Sequence, residues 1–554
     1  MRTIPKKILC MVLMTALLAS ICGLAVCAEP LPERKTLMKG TYTLYTLTGE
    51  TIEEDYFYSD SFFDGSSKIS NPHLKTVSAA VSFSLNDLTR ESAAANSVLR
   101  RIGFSDIVME DMDHTAADSI GTVIAQKRIG DSTVVALMLR GYDYGSEWAS
   151  NFLCGSEGDA RGFLESSEKA LARLGSYLTT YHITDAKIWV TGYSRSAAVA
   201  NLVGKALNEN TVDYSTAEDD IYVYAFEAPN CDADGVVYEN IHNVIDSRDL
   251  ITYVYPAGWG LSRCGVTEPI GDDSKMIMSK KFALLGENLM VDFKEVNLAE
   301  FLDEYFDFLS QYISRETYVN ELEAYLCSLS DIFLSMSDEE KEELGDFFNK
   351  FLEDFMTDES LPTVLVDFVW EKAGDKDYEA FVNLVTSNLD KAYVEVESPL
   401  TDEQFETLKS AVHPLVFTLK PAIKADAAMR KQDKNGKEKK VTLYYLMTLL
   451  GNIEEIIGYH IYDSVYDYLM DADSYYGENN WMKIGDADGD GTVTVLDATA
   501  VQKDLAKLYV IDEDRLSVSD ADYDGSITVL DATSVQKYLA ALGNPYHIDE
   551  YLLS

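Results

Sequence analysis

Lys187 to Asn201 reads Lys-Ile-Trp-Val-Thr-Gly-Tyr-Ser-Arg-Ser-Ala-Ala-Val-Ala-Asn, and its hydrophobic pattern changes character halfway. Ile188, Trp189 and Val190 form an apolar run of strand type, Gly192 breaks it, and a small-residue, helix-compatible segment begins just past Ser194. Strand, sharp turn and helix in that order have the shape of a nucleophile elbow. The serine hydroxyl stands above the sheet, and the next backbone N–H faces an oxyanion developing on a substrate. The pattern asks for Gly-x-Ser-x-Gly, and here Gly192, Tyr193, Ser194 and Arg195 are followed by Ser196. The pentapeptide alone does not separate a nucleophile from an ordinary strand-to-helix connection, so the flanking sequence has to decide.

Upstream, Thr133 to Leu139 is a near-continuous apolar run of the kind buried in parallel sheets, and it leads into Arg140, Gly141 and Tyr142, then Glu147, Trp148, Asn151 and Phe152. Arg161, Gly162 and Phe163 open a helical pattern over Leu164 to Leu178. Downstream, the strand Ile221 to Phe226 ends in Glu227, Ala228, Pro229 and Asn230. Another begins near Val244 and reaches Asp246 and Asp249, the latter followed by Leu250 and Ile251. These segments, in this order and spacing, resemble class 3 lipases.

The resemblance implies an α/β fold, an α/β-hydrolase with a mostly parallel sheet flanked by helices. It also implies oxyanion-hole N–H groups at Arg195 and Tyr142, where the family usually has Thr or Ser at the second position. It makes Asp249 the acid of a catalytic triad, with Asp246 as the nearby rival lacking the aliphatic pair behind it. Trp259, Gly260 and Arg263 match positions common after that acid.

Serine hydrolysis needs an imidazole that takes the Ser194 proton and returns it to the leaving group. In α/β-hydrolases the chain order is Ser, Asp, His, which leaves His413, His460 and the tail residue His547. His460 precedes an aromatic segment containing Tyr466 and Tyr468, as the family's late loop does, and is preferred to His413. The intervening two hundred or so residues read as helices. Ser337 with Glu340 makes a capping box, and Leu344, Phe347, Phe348, Phe351, Leu352 and Phe355 suggest one apolar face. Their expected role is a helical cap; a mobile lid is the alternative.

The 554 residues carry 46 Lys plus Arg against 93 Asp plus Glu, a formal charge of −47 that argues against nucleic acid or anionic membrane as partner. Arg2, Lys6 and Lys7 precede an apolar run from Ile8 to Val26 ending near Ala28, the pattern of a secretory signal peptide. Cys22 and Cys27 raise a lipoprotein alternative. Cleavage would leave Cys154, Cys231, Cys264 and Cys327, too sparse for a disulfide framework, and no second membrane segment.

Near the C-terminus the chain repeats itself. Asp486, Asp488, Asp490, Thr492 and Asp497 recur as Asp520, Asp522, Asp524, Ser526 and Asp531, with Gly491 and Gly525 at loop position six. Carboxylates at positions 1, 3, 5 and 12, a carbonyl at 7 and glycine at 6 build an oxygen shell for Ca²⁺. Asp rather than Glu at position 12 and the absence of a preceding long helix make the repeat resemble a type I dockerin, a small all-α module. That resemblance implies two structural calcium ions and a cohesin partner on a scaffold protein. The duplicated Val495, Leu496, Ala498, Thr499 and Val529, Leu530, Ala532, Thr533 would form the cohesin-binding face.

The expected plan is a signal peptide at 1–28, hydrolase core at 29–270, helical cap at 271–450, the end of the core with His460 at 451–475, a linker at 476–482 and a dockerin at 483–545. The expected function is a secreted serine carboxylic-ester hydrolase, needing no cofactor for catalysis and tethered to an extracellular multienzyme complex. Its substrate would be an acylglycerol or an acetyl or feruloyl ester of plant polysaccharide. The rival is a lipase-fold protein without catalysis that serves binding or assembly.

Overall fold

The computed structural model describes residues 36–45, 51–85, 98–112, 118–141, 146–211, 216–270, 282–283, 290–291, 298–368, 374–396, 398–432, 460, 482–512 and 515–552. The expected signal peptide, Tyr142 and most of the 433–481 stretch lie outside them. Two compact units divide the chain, one from Gly40–Gly477 and one combining Met1–Lys39 with Glu478–Ser554.

Strands β1 (Thr36–Tyr45) and β2 (Thr51–Tyr58) come first in the chain; in the larger unit, β3 (Ser105–Glu110), β4 (Thr122–Ile129), β5 (Ser132–Leu139), β6 (Ala186–Tyr193), β7 (Ile221–Phe226), β8 (Tyr238–Asp246) and β9 (Gly265–Ile270) form one sheet in sequence order. The first three strands are antiparallel, and β5 to β9 run parallel. Both faces of the parallel part are covered, which is why its strands read as apolar runs rather than alternating ones. Leu137, Val190, Val223 and Ile241 stand side by side across β5 to β8. They belong to the core shared with helices α2 (Arg161–Thr180) and α3 (Arg195–Asn208). On the other face, Trp189 donates through Nε1 to Ser78 Oγ at 2.8 Å on α1 (Pro72–Ser84), and Phe83 packs edge-on to Tyr193. This is the α/β-hydrolase arrangement, with Ser194, Glu227 and Asp249 following the carboxyl ends of β6, β7 and β8 in turn.

The insertion is helical, including Leu298–Tyr312, Arg315–Glu321, Glu323–Leu334, Asp338–Thr357, Asp375–Glu395 and Asp402–Gln432. The Ser337 to Glu340 capping box forms. The apolar stripe behind it divides: Leu344 and Phe347 are buried against Leu389, Ala392 and Phe405, whereas Phe348 and Leu352 are exposed. At 3.6 residues per turn the six share an arc of about 140°, and Phe348 and Leu352 fall at the edge of it that the neighbouring helices leave uncovered. The insertion is fixed to the core at its base, with Tyr318 donating to the Phe152 carbonyl (2.8 Å), Arg315 Nε to Gly155 O (2.7 Å) and Gly155 N–H to Glu323 (2.9 Å). Cys154, Cys231, Cys264 and Cys327 are free thiols. Among the described residues no helix is long and apolar enough to cross a membrane.

The smaller unit packs helices Val495–Leu505 and Val529–Leu539 around Ile484, Ala498, Val501, Ala532, Val535 and Ile548. Its ends meet through an antiparallel bridge between Lys483 and Tyr551. Thr36 and Leu37 pair with Leu552 and Tyr551. The unit therefore reaches beyond the 483–545 span expected from the repeat.

Candidate active site

Ser194 occupies the turn between β6 and α3 at φ 58°, ψ −124°, a conformation rare for any residue but glycine and typical of strained functional turns. Two features hold it there. Ser194 N–H donates to Phe226 O at 2.8 Å, fastening the turn to β7. Ser196, standing where the elbow pattern has glycine, accepts Tyr193 N–H on its hydroxyl at 2.8 Å and lies 3.0 Å from Leu139 O. The substitution is built into the turn rather than crowding it. A Cβ on Gly192 would meet Ser196 O at 2.4 Å, so that glycine is required by the close approach of α3.

His460 Nε2 lies 2.8 Å from Ser194 Oγ, and its Nδ1 lies 2.5 Å from Asp249 Oδ2. Asp249 is fully buried and its other oxygen accepts Ile251 N–H at 2.8 Å. Both ring nitrogens are thus engaged, one toward the nucleophile and one toward a carboxylate. With Nδ1 protonated and Nε2 free to accept, that is the tautomer a general base needs. Asp246 is taken up elsewhere: Arg248 grips it through Nε (2.9 Å) and Nη2 (2.6 Å). His413 lies exposed on Asp402–Gln432, its ring stacked on Phe417 at 4.2 Å.

Two residues that sequence reading passed over adjoin this relay. Tyr193 stacks on the His460 ring at 5.3 Å and its hydroxyl donates to the His460 carbonyl. Glu227 is fully buried between Asp246 and Asp249. An aromatic beside the nucleophile and an acid in a Phe-x-x-Pro turn were the available signals, and neither distinguishes function from packing.

Arg195 N–H begins α3, where backbone donors and the helix dipole favour negative charge. Its side chain is buried and donates to Ser150 Oγ (3.0 Å), Ser119 O (3.1 Å) and Ser166 Oγ (2.6 Å), which anchors the turn from below. The other expected donor, Tyr142, lies outside the described residues, but the segment bearing it is bracketed by a buried Arg140–Glu147 ion pair. Removing one member of such a pair strands the other without a partner charge. Glu147→Ala is expected to lower the stability of the larger unit by about 3–5 kcal/mol, read from its urea unfolding transition; a loss under about 1 kcal/mol would show that the pair does not hold this segment.

In the smaller unit, carboxylate oxygens of Asp486, Asp488 and Asp497 come within 4.8 Å of one another, as do those of Asp520, Asp522 and Asp531. Burial and neighbouring carboxylates push Asp497, Asp520 and Asp522 upward, Asp522 to about 6. Crowded acids that resist ionisation are what a divalent cation relieves, so the residues fit calcium. Asp490 and Asp524, with the Thr492 and Ser526 carbonyls, are the remaining loop oxygens. Val495, Leu496, Val529 and Leu530 are exposed to nearly equal degrees, 59, 58, 58 and 55%. Ala498 and Ala532, by contrast, are completely buried in the module core, which corrects their expected place on a partner-facing surface. Thr499 and Thr533 are half-buried, each donating to a carbonyl four residues back.

Residues 484–540 match the type I dockerin domain family, so the chain carries a type I dockerin. No curated protein matches the sequence significantly. Solved structures similar in fold include fungal and yeast lipases. A fungal lipase–inhibitor complex is 17% identical over 36% of this chain and 78% of its own, with TM-score 0.28. A nonglycosylated lipase of Yarrowia lipolytica is 14% identical over 43% and 86%, with TM-score 0.26. A further fungal lipase is 14% identical over 41% and 87%, also with TM-score 0.26.

Proposed function

We propose that this chain is a secreted serine carboxylic-ester hydrolase, tethered by its calcium-dependent dockerin to a cohesin on a scaffold protein. The observation that carries the reading is the relay from Ser194 through His460 to Asp249, at 2.8 and 2.5 Å. In this mechanism Ser194 Oγ attacks the ester carbonyl carbon while His460 Nε2 takes its proton, and Asp249 stabilises the imidazolium. The carbonyl oxygen gains the electron pair and is held by the N–H groups of Arg195 and Tyr142. Collapse breaks the bond to the alcohol, which leaves with the His460 proton. Water, activated by the same imidazole, then cleaves the acyl-enzyme and regenerates Ser194.

Calcium would be held by Asp486, Asp488, Asp490, Asp497 and the Thr492 carbonyl in one loop, and by Asp520, Asp522, Asp524, Asp531 and the Ser526 carbonyl in the other. The ions would join each loop to the helix behind it. Val495, Leu496, Val529 and Leu530 would meet the cohesin. Scaffold tethering supports esters of plant polysaccharide, acetyl or feruloyl, as the substrate, with acylglycerols as the other class. A panel of p-nitrophenyl esters of rising acyl length, beside a feruloyl ester and a triacylglycerol, tests this. Hydrolysis of acetyl or feruloyl esters at ten times or more the long-chain rate is expected, and the reverse ratio would assign the enzyme to lipids. No turnover of any ester would reject the hydrolase reading.

A further inference from the structure

Glu227 stands at φ 52°, in the left-handed region that favours glycine, yet its side chain is fully buried and engaged. Both carboxyl oxygens approach Asp246 N–H, at 2.9 and 3.1 Å, and Asp249 N–H donates to Asp246 O at 3.0 Å, so the fully buried carboxyls of Glu227 and Asp249 are neighbours. Two carboxyl groups can share a hydrogen bond only if one carries the proton. Asp249 already accepts from Ile251 N–H and faces His460 Nδ1, so it is the member placed as the acceptor.

We propose that Glu227 is a positioning residue for the triad: it carries a proton, and its O–H donates to the Asp249 carboxylate, so that His460 faces a single negative charge. The proposal rests on the serine hydrolase reading.

The surrounding groups agree. Burial first, and then the Asp249 charge, push the Glu227 carboxyl well above the ordinary carboxylate range. Asp246 is neutralised by Arg248. Arg263, half-buried near both acids, is a cation that favours their ionised forms, but its guanidinium is engaged by the Ala228 and Thr252 carbonyls at 2.6 and 2.5 Å. Tyr253 is pushed up by burial and directs its hydroxyl to Ser247 O at 3.0 Å. A second ionised carboxylate in this patch would bind the His460 proton more tightly and leave less neutral base at a given pH. The proton on Glu227 prevents that, and its hydrogen bond draws part of the Asp249 charge away from His460.

Three forms of the full chain test this. Glu227→Gln keeps an N–H donor toward Asp249 and an acceptor for Asp246 N–H. Glu227→Gly removes the carboxyl while relaxing the backbone, so folding is protected. The acid limb of the kcat/KM profile for a soluble p-nitrophenyl ester is expected to stay in place for Glu227→Gln and to move up by about one pH unit for Glu227→Gly, a change equal to one hydrogen bond to a charged group. Infrared difference spectra of wild type minus Glu227→Gln at pH 7 are expected to show a protonated-carboxyl band. An unmoved limb in Glu227→Gly, a limb in Glu227→Gln that moves with it, or a difference spectrum without the band would each overturn the proposal. The infrared reading does not depend on turnover, so failure of the hydrolase reading would show in the kinetics alone.

Discussion

Ser194→Ala is expected to abolish ester hydrolysis, with a fall in kcat of about 10⁴–10⁶ and loss of labelling by a fluorophosphonate probe. The size follows from the geometry. Ser194 is the hydroxyl that His460 Nε2 reaches, at 2.8 Å, so its removal leaves only substrate binding and the oxyanion donors. His460→Ala should cost about as much, and the double variant little more, because the residues act as one unit. Asp249→Asn should lower kcat by about 10⁴ by presenting Nδ1 with a donor and favouring the wrong tautomer. Asp246→Asn is the contrast. Its carboxylate faces Arg248, so the loss in kcat should stay below about tenfold, with the remainder appearing as reduced stability. Retention of probe labelling by Ser194→Ala would place the nucleophile elsewhere and reject the relay.

The parts of this site that could be read from sequence are those where local pattern and local structure coincide. Val134 to Leu139 and Ile188 to Val190 are apolar without interruption because both faces of the sheet are covered, and such runs report buried strands directly. The elbow shows itself by the change from strand to small-residue helix at Ser194. Asp249 is marked by Leu250 and Ile251 behind it, and His460 by chain order. What eluded the sequence depends on contacts between distant segments. That Asp246 is occupied by Arg248 is a matter of side-chain direction. Glu227 meets Asp249 only because β7 and β8 are neighbours in register, with Phe226 opposite Val244. In the dockerin the error has a different origin. Duplication preserves buried and partner-facing residues alike, so repetition could not separate Ala498 from Val495. Helical phase can: at 3.6 residues per turn Val495, Leu496 and Thr499 share an arc of about 100°, and Ala498 falls outside it on the side of Val501.

Calcium removal is expected to unfold the dockerin and abolish scaffold binding while leaving ester hydrolysis intact. The module's core is small, a single apolar cluster centred on Ala498, Val501, Ala532 and Val535, and domains of this size rarely hold together on burial alone. In each loop the position-12 aspartate joins loop to helix. Asp497 accepts Asp488 N–H at 3.1 Å and Thr494 N–H at 2.7 Å, and Asp531 repeats this with Asp522 at 3.0 Å and Thr528 at 2.7 Å. An ion bound there would tie the first turn of the helix to the loop carboxylates. Without it those carboxylates repel one another and the cap is lost with the loop. A site filled at a thousand times its Kd contributes about 4 kcal/mol, comparable to the whole stability expected of such a module. Excess chelator added to the full chain should therefore reduce cohesin affinity by at least a hundredfold and diminish the helical circular dichroism of this unit. Since the ligands must be ionised, affinity for calcium should also fall as pH drops through about 6, where Asp522 takes up its proton. Hydrolysis of a soluble ester should persist, because Ser194, Asp249 and His460 all belong to the other compact unit. Undiminished cohesin binding in excess chelator would refute the calcium reading, and loss of esterase activity together with binding would show that the two units do not fold independently.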